Sequence, residues 1–276
     1  MTFKPSALGA LALLCAASGP AMATAVVSFD ASLTANGRWY TADVRTGGTA
    51  AVVDLTGTGG NLETAQPLPN GAAKLTTNLT NGAKAEVAVN DTYGKARDIL
   101  QSLNLSYSYY RENLAGGNEA AAPAIKLTFF NSTYVGDGFV TLTYEPYWQT
   151  GVSVNPPSSQ WNDVDIDFDS GLFWQNGGFG QTNSAGGPPL KSLQDWLATF
   201  DAGFGEASLV AVSMGIGTFN QGVTGYFDDV RISHAHGNGY SASYDFGPAA
   251  AVPEPASLAL VGLSLLGLVA SRRKRG

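Results

Sequence analysis

Short apolar segments, each bounded by turn-forming residues, fill the chain between residues 24 and 247. This pattern predicts β-strands, because strands are short, rich in β-branched and aromatic residues, and separated by Gly, Asn, Asp, Ser or Pro. The segments that fit it are residues 26–29, 51–55, 85–89, 103–110, 125–130, 139–144, 209–216 and 225–233. We therefore expect an all-β fold over this region.

Turn-forming pairs and one amphipathic segment complete the prediction for this region. Pairs that tolerate positive φ predict hairpin turns; they are Asn70-Gly71, Asn81-Gly82, Asp137-Gly138 and Asn176-Gly177. Residues 190–200 place their large apolar side chains on one face, which predicts a short helix with Trp196 in the core. No fixed repeat or linker divides the region. We expect one domain at 24–247, a two-sheet antiparallel sandwich of the jelly-roll or concanavalin-like type.

Residues 1–23 have the features of a secretory signal peptide. Lys4 precedes an apolar run, and Ala21 and Ala23 supply the small residues needed for cleavage after residue 23. A buried N-terminal helix is the alternative. The only cysteine, Cys15, lies in this segment, so the mature domain is expected to lack disulfides and to depend on its core for stability.

Residues 248–276 form the second hydrophobic end. A Pro-Glu-Pro motif at 253–255 precedes an uncharged apolar run at 256–270, which predicts a transmembrane helix, and a basic end follows at 271–276. At ~1.5 Å per residue the helix would span about 23 Å, short of a hydrocarbon core of ~30 Å, so basic side chains would have to snorkel. The positive-inside rule then places the basic end in the cytoplasm and the sandwich outside.

The order Pro-Glu-Pro, short apolar helix and basic terminus resembles the PEP-CTERM sorting signal. The residues that carry the resemblance are Pro253, Glu254, Pro255, Arg272, Arg273, Lys274 and Arg275. It implies export by the Sec machinery, anchoring in the inner membrane, and recognition by exosortase, a membrane-embedded cysteine protease-transpeptidase. It also implies a final place at the cell surface or in an extracellular, exopolysaccharide-rich biofilm matrix. A permanent anchor with a stiff proline spacer is the alternative.

Charge narrows the range of partners. The chain has a net charge of -7, although four bases are concentrated at residues 272–275. An acidic domain repels phosphate backbones, so nucleic acid is a poor candidate partner. Cations and neutral sugars fit this charge better.

Four aspartates alternate with apolar residues, which predicts a strand with one acidic face and one apolar face. They are Asp163, Asp165, Asp167 and Asp169. A calcium ion would offset their repulsion, although the spacing is not that of an EF-hand loop. We favour a solvated edge strand whose charges prevent aggregation. Residues 165–169 are also similar to the Glu-x-Asp-x-Glu strand of concanavalin-like retaining glycosidases, but the outer positions carry aspartate, Asp165 and Asp169, which argues against that activity.

Residues 225–232, Gly-Tyr-Phe-Asp-Asp-Val-Arg-Ile, resemble the last strand of carbohydrate-binding jelly rolls. The resemblance implies that the apolar positions pack the core and that Asp228 and Asp229 serve a structural calcium or a turn. Aromatic rings stack on the apolar faces of sugars, so Trp148, Trp161 and Trp174 are candidates to line a glycan cleft. Core packing is the alternative for each of them.

The sequence has few side chains that could bind a transition metal or form a catalytic triad. His234 and His236 lack matching metal ligands, and without a thiol a protease or esterase triad is hard to assemble. We therefore predict an exported, non-enzymatic surface or exopolysaccharide-matrix protein. A lectin-like carbohydrate-binding module, with or without calcium, is the alternative, and a glycoside hydrolase is the least favoured.

Overall fold

Two stacked β-sheets form the fold in the computed structural model of the chain, which describes residues 25–26, 29, 36–184 and 186–248. The strands in chain order are β1 (Ala25–Val26), β2 (Trp39–Thr41), β3 (Gly48–Asp54), β4 (Gly71–Thr77), β5 (Ala85–Lys95), β6 (Asn104–Asn113), β7 (Ala124–Phe130), β8 (Phe139–Tyr144), β9 (Trp161–Ile166), β10 (Phe173–Asn176), β11 (Ser208–Ile216), β12 (Val223–His234) and β13 (Tyr240–Asp245). The prediction of an all-β, two-sheet sandwich is confirmed.

Strand β12 is central to the seven-stranded sheet. Along one side it pairs with β6, which in turn pairs with β9. Its other side is shared between β4, at residues 224–227, and β13, at residues 230–234. β3 extends the sheet beyond β4, and β1 lies parallel to β13, whereas the other pairs are antiparallel. The register of β12 against β6 shifts between Asp228 and Arg231, so the irregularity lies where the partner on the other side changes.

The six-stranded sheet is antiparallel, in the order β10-β8-β7-β11-β5-β2. Its inward side chains, such as Leu127, Leu142 and Val212, are fully buried against the other sheet. Aromatic clusters complete the core: one joins Trp39, Phe227, Tyr244 and Phe246, and another joins Phe129, Phe179, Trp196, Phe200 and Phe204. Edge and tilted ring contacts of this kind stabilise a core beyond the area they bury.

Helices are few and short. They are α1 (Gly60–Thr64), α2 (Ala96–Ile99) and α3 (Leu193–Thr199), with 3-10 turns at Leu100–Ser102, Pro146–Trp148 and Ala202–Glu206. The helix predicted at 190–200 corresponds to α3. Ser192 caps its N-terminus, because the side-chain oxygen of Ser192 accepts the N–H of Asp195. Trp196 is 1% exposed, and its indole N–H donates to the carbonyl of Phe173 (2.8 Å), so its predicted place in the core is confirmed.

The hairpin prediction holds for only one of the four dipeptides. Asp137-Gly138 lies between β7 and β8, which pair with each other. Asn81-Gly82 instead joins β4 to β5, which belong to different sheets, and Asn70-Gly71 ends the long connection that contains α1. Asn176 is the last residue of β10, and Gly177 begins a loop. A dipeptide fixes the local turn, but packing decides which sheet the next strand joins.

Both hydrophobic ends of the chain, the predicted signal peptide at 1–23 and the predicted transmembrane helix at 256–270, lie outside the described residues. Among the residues that are described, no helix is long and apolar enough to cross a membrane.

Candidate functional site

A row of side chains crosses the outer face of the six-stranded sheet. Directly paired residues of antiparallel strands share a face. The register places one residue of each strand in this row: Trp174, Thr143, Lys126, Ser213, Ala88 and Tyr40. Their neighbours along the strands, such as Phe173 and Val212, are fully buried between the sheets. At ~4.8 Å between strands, the row is about 24 Å long.

A groove of about 730 Å³ opens beside this row. One side is aromatic, with Tyr147, Trp148 and Trp174, and the bases Lys126, Lys84 and Arg45 also line it. Small residues, Ala120, Ala121, Ala122, Ala124, Gly186 and Gly217, complete much of the lining and leave the space open. The volume lies within the range of small-molecule sites, and the mixture of rings with a few polar groups is typical of them.

Hydrogen bonds fix both indole rings in the groove. The indole N–H of Trp148 donates to the carbonyl of Gly186 (3.2 Å), and that of Trp174 donates to Oε2 of Glu145 (3.1 Å). Tyr147 packs edge-on against Trp148, with ring centroids 4.8 Å apart. All three rings are half-buried, so they are held in place while they still line the groove.

Glu145 is the acid that lines this groove. Burial raises the pKa of its carboxyl, while the bond from Trp174 and the charge of Lys126 act in the opposite direction without cancelling the effect. The carboxyl therefore keeps its proton to a higher pH than a free glutamate does. The hydroxyl of Thr143, 1% exposed on the same face, has no hydrogen-bond partner among the described residues.

The bases of the groove belong to a chain of ion pairs. Arg45 contacts Asp43 (2.7 Å), and Lys84 lies between Asp43 (2.9 Å) and Glu86 (2.9 Å). Lys126 contacts the same carboxylate of Glu86 (2.5 Å). Burial alone would raise the pKa of Glu86, but Lys126 and Lys84 outweigh it and hold that pKa below its usual range. The chain of pairs therefore holds the lysines at fixed positions.

An exposed aromatic residue, Phe219, lines the groove from the loop between β11 and β12. It is 69% exposed, and its φ of 63° lies in the left-handed region, which a bulky residue rarely adopts. Its N–H donates to the carbonyl of Asn81 (2.8 Å), and its carbonyl accepts the side-chain N–H of Asn118 (3.1 Å). Two neighbouring loops therefore hold the strained residue in place. Strain of this kind clusters at functional sites.

Of the three tryptophans predicted to bind glycans, the structure brings together Trp148 and Trp174. Trp161 lies on β9 of the seven-stranded sheet, where its indole N–H donates to the carbonyl of Leu62 (3.1 Å) and its ring packs on Tyr110. It lines a different hollow of about 780 Å³, together with Asp163, Asp165 and Asp229. Trp161 is therefore not part of the aromatic groove.

The predicted acidic strand is present but shorter than expected. In β9, Val164 and Ile166 are buried whereas Asp163 and Asp165 are exposed, and β6 is the strand that pairs with β9. This position at the edge of the sheet agrees with the favoured interpretation.

Beyond the end of β9 the chain turns. The carboxylate of Asp167 accepts the N–H groups of Asp169 (3.0 Å) and Ser170 (2.7 Å). The chain therefore leaves the strand before Asp169, so the four aspartates do not form one continuous row.

The two aspartates of β12 have different surroundings. Asp228 is completely buried; its Oδ1 accepts the N–H of Phe246 (2.9 Å), and its Oδ2 has no partner among the described residues. Burial raises the pKa of Asp228 to about 7. Asp229 instead pairs with Arg231 through two contacts of 2.9 Å.

The described part of the chain contains no group of three or more His, Cys, Asp or Glu side chains arranged to hold a metal ion. The two histidines also differ in burial. His234 is buried, with Nε2 2.8 Å from the carbonyl of Tyr93, whereas His236 is exposed.

Several residues of the groove were not singled out from the sequence. Lys84, Lys126 and Arg45 come from separate segments. Lys126 lies on β7, Lys84 immediately precedes β5, and Arg45, between β2 and β3, donates its N–H to the carbonyl of Lys84 (2.9 Å). Phe219 could have been identified from the sequence, since it is an aromatic residue in a short stretch between Gly217 and Gly222. A lone aromatic among turn residues is a candidate for exposure.

Comparison with protein families identifies the PEP-CTERM protein-sorting motif at residues 251–274. The sequence-based recognition of this motif is confirmed, and the motif indicates an exported, envelope-associated protein. No curated protein sequence matches the chain.

Several solved structures are similar to the fold. A family 11 carbohydrate-binding module of a cellulosomal cellulase of Clostridium thermocellum is 14% identical, with a TM-score of 0.37, over 77% of this chain and 97% of the module. A family 30 carbohydrate-binding module is 13% identical, with a TM-score of 0.37, over 60% and 77%. An exo-β-agarase is 9% identical, with a TM-score of 0.37, over 78% of this chain and 25% of the enzyme.

Proposed function

We propose that this chain is an exported, envelope-sorted protein whose sandwich domain binds polysaccharide without hydrolysing it. The observation that carries the proposal is the groove on the six-stranded sheet, where Tyr147, Trp148, Trp174 and Phe219 meet polar side chains. The sorting motif at 251–274 supports the cellular part of the proposal. Bound polysaccharide would keep the protein at the cell surface or in an exopolysaccharide matrix.

Aromatic and polar groups together suit a sugar. A pyranose ring has apolar C–H faces, which stack on aromatic rings, and a rim of hydroxyl groups, which need hydrogen-bond partners. The groove offers the rings of Trp148 and Trp174 beside the side chains of Lys126 and Asn176. Because the indoles are already fixed by hydrogen bonds, binding would cost little side-chain entropy.

The arrangement of carboxyl groups favours binding over hydrolysis. A retaining glycosidase needs two carboxyl groups about 5 Å apart on either side of the scissile bond. Among the described residues that line the groove, Glu145 is the acid. Asp165 and Asp169, the pair suggested by the sequence, are separated by the turn at Asp167, and neither lines the groove. We therefore propose a non-enzymatic module.

Binding of the full-length chain to a panel of immobilised polysaccharides tests this function. We expect Trp174→Ala and Trp148→Ala each to weaken binding by about tenfold or more, because truncating an aromatic anchor costs upwards of about 1.4 kcal/mol. Trp161→Ala is the matched control, since Trp161 is also half-buried and also donates its indole N–H to a carbonyl. It should bind like the unchanged chain.

Three outcomes would count against the proposal. The first is the absence of binding to every polysaccharide in the panel. The second is equal loss in all three variants, with thermal melts showing that each is folded. The third is hydrolysis of the bound polymer. Since Glu145 is the one acid among the described residues that line the groove, we also expect a chelator of calcium to leave the affinity unchanged.

A further inference from the structure

Bases are concentrated in the groove of a chain that is acidic as a whole. The sequence has 22 acids and 15 bases, yet Arg45, Lys84 and Lys126 line the groove with Glu145 as the acid among them. Whole-chain charge favours cations and neutral sugars as ligands, whereas this local distribution favours an anion. The groove is therefore a candidate site for an anionic ligand, although the net charge of the chain argues against one.

The carboxylates that neutralise these bases are not part of the lining. Asp43 and Glu86 hold the bases by ion pairs, but neither carboxylate lines the groove, whereas the bases that they contact do. Among the described residues, Lys126 forms its ion pair with Glu86. An ammonium group has three N–H donors, so this contact does not use all of them. Donors therefore remain for a ligand at positions that the ion pairs already fix.

Rings and bases lie in order across the sheet. Trp174 is on the edge strand β10 and Lys126 on β7, two strands away, while Lys84 immediately precedes β5, two strands further. At ~4.8 Å per strand, Lys126 therefore stands about 10 Å from Trp174. The ammonium groups of Lys126 and Lys84 both contact Oε2 of Glu86, at 2.5 Å and 2.9 Å, so the bases form one compact group beyond the rings. A sugar chain that crosses the strands would meet the aromatic rings first and the bases next.

We propose that the groove takes an anionic glycan, with sugar rings stacked on Trp148 and Trp174 and its carboxylate or sulfate groups at Lys126, Lys84 and Arg45. This proposal rests on the function proposed above and names its ligand class. The acidic surface elsewhere repels the same polymer, so binding is directed to the groove.

Matched pairs of polymers that differ in charge alone test the proposal. The first pair is polygalacturonate and its full methyl ester, and the second is dextran sulfate and dextran, which separates sulfate from carboxylate. The full-length chain is used in a detergent without a sugar headgroup, so that the detergent does not compete. We expect the charged member of one or both pairs to bind about tenfold more tightly, through several exposed charge contacts. The preference should vanish near 1 M salt, where the screening length is about 3 Å.

Substitutions locate the charge preference. Arg45→Gln removes a base that is 51% exposed, and the double change Lys126→Gln with Glu86→Gln removes a half-buried pair without leaving one charge alone. Both should reduce the preference for the charged polymer, because they lower the affinity for the charged polymer more than the affinity for its neutral partner. Lys95→Gln, a base 45% exposed and outside the groove lining, is the control and should change neither.

Equal affinity for both members of both pairs would overturn the anionic proposal while leaving polysaccharide binding intact. A charge preference that Lys95→Gln reduces as much as Arg45→Gln would overturn it as well, because the bases of the groove would then have no special role. Loss of binding to every polymer, charged or neutral, would instead contradict the proposed function itself. If the double variant does not fold, Arg45→Gln alone still decides the result.

Discussion

Asp228 keeps a carboxyl group inside the sandwich without a base to pair with it. Its Oδ1 accepts the N–H of Phe246 and so fixes the chain just after β13, but its Oδ2 has no partner among the described residues. A buried charge without compensation is costly, and the group avoids that cost by holding its proton. The raised pKa of about 7 is the result of this burial.

Stability should therefore fall as the pH rises from about 4 to about 7. Over this interval the folded chain keeps the proton on Asp228 while the unfolded chain releases it, so the folded state binds more protons and loses stability with increasing pH. The shift from 3.8 to about 7 corresponds to about 4 kcal/mol at most. Asp228→Asn removes the titration and should be more stable than the unchanged chain at pH 8.

Urea denaturation of both chains between pH 4 and pH 8 checks this prediction. The free energy of unfolding of Asp228→Asn should exceed that of the unchanged chain by a margin that grows over this interval and then stays constant. Curves that run parallel across the whole interval would show that Asp228 has the same pKa in the folded and unfolded chains, so that burial does not raise it.

Individual elements show where reasoning from sequence succeeds and where it stops. The segments that became β7, β8, β11 and β12 were predicted within a few residues, because their apolar periodicity directly records burial on one or both faces. β4, β13 and the short edge strands β2 and β10 were missed. β2 and β10 have only three and four residues, too few to show a period, and β4 and β13 carry mostly small or polar side chains, so their strand character comes from pairing with a neighbour.

Part of the candidate site could likewise be predicted from the sequence and part could not. Trp148 and Trp174 were found from the sequence because aromatic residues are conspicuous, but the same rule also selected Trp161. The three tryptophans cannot be sorted without knowing which sheet each strand joins, and that is a long-range property. The bases of the groove are separated in sequence, and long-range contacts bring them together: strand pairing for Lys126, and the hydrogen bond from the Arg45 N–H to the carbonyl of Lys84 for the other two.

The loop that carries Phe219 provides a test of preorganisation. Phe219→Gly and Phe219→Ala both remove the ring, but only glycine accepts a φ of 63° without strain. We expect Phe219→Gly to be more stable than Phe219→Ala by about 1 kcal/mol, while both bind polysaccharide more weakly than the unchanged chain. Thermal melts and affinity measurements on the two variants separate the contribution of the backbone from that of the ring.

Two results would contradict the role assigned to Phe219. If both variants bound polysaccharide like the unchanged chain, the ring would not be part of the site. If Phe219→Ala were as stable as Phe219→Gly, the contacts from Asn81 and Asn118 would not be holding a strained backbone.

At the scale of the whole molecule, the account joins a sorting motif to a binding domain. The motif at 251–274 indicates an exported, envelope-associated protein, and we propose that the groove then retains it on polysaccharide. Replacing residues 253–255 by alanine keeps the apolar run intact and therefore separates sorting from simple anchoring. We expect this variant to accumulate as an unprocessed chain in the inner-membrane fraction, whereas the unchanged chain is shortened and leaves it.

Fractionation of the envelope with mass determination checks that expectation. Deletion of residues 251–276 is the companion variant, and it should be absent from the inner-membrane fraction. An identical distribution and mass for the unchanged and alanine-substituted chains would favour the permanent anchor over processing by exosortase.

The most direct test of the central claim is to map which side chains bound polysaccharide covers. Hydroxyl-radical footprinting of the full-length chain, with and without the extracellular polysaccharide of the cells that produce it, reads the exposure of each aromatic residue. We predict that oxidation of Tyr147, Trp148, Trp174 and Phe219 falls on binding while that of Trp161 is unchanged. Protection at Trp161 with none in the groove would contradict the account.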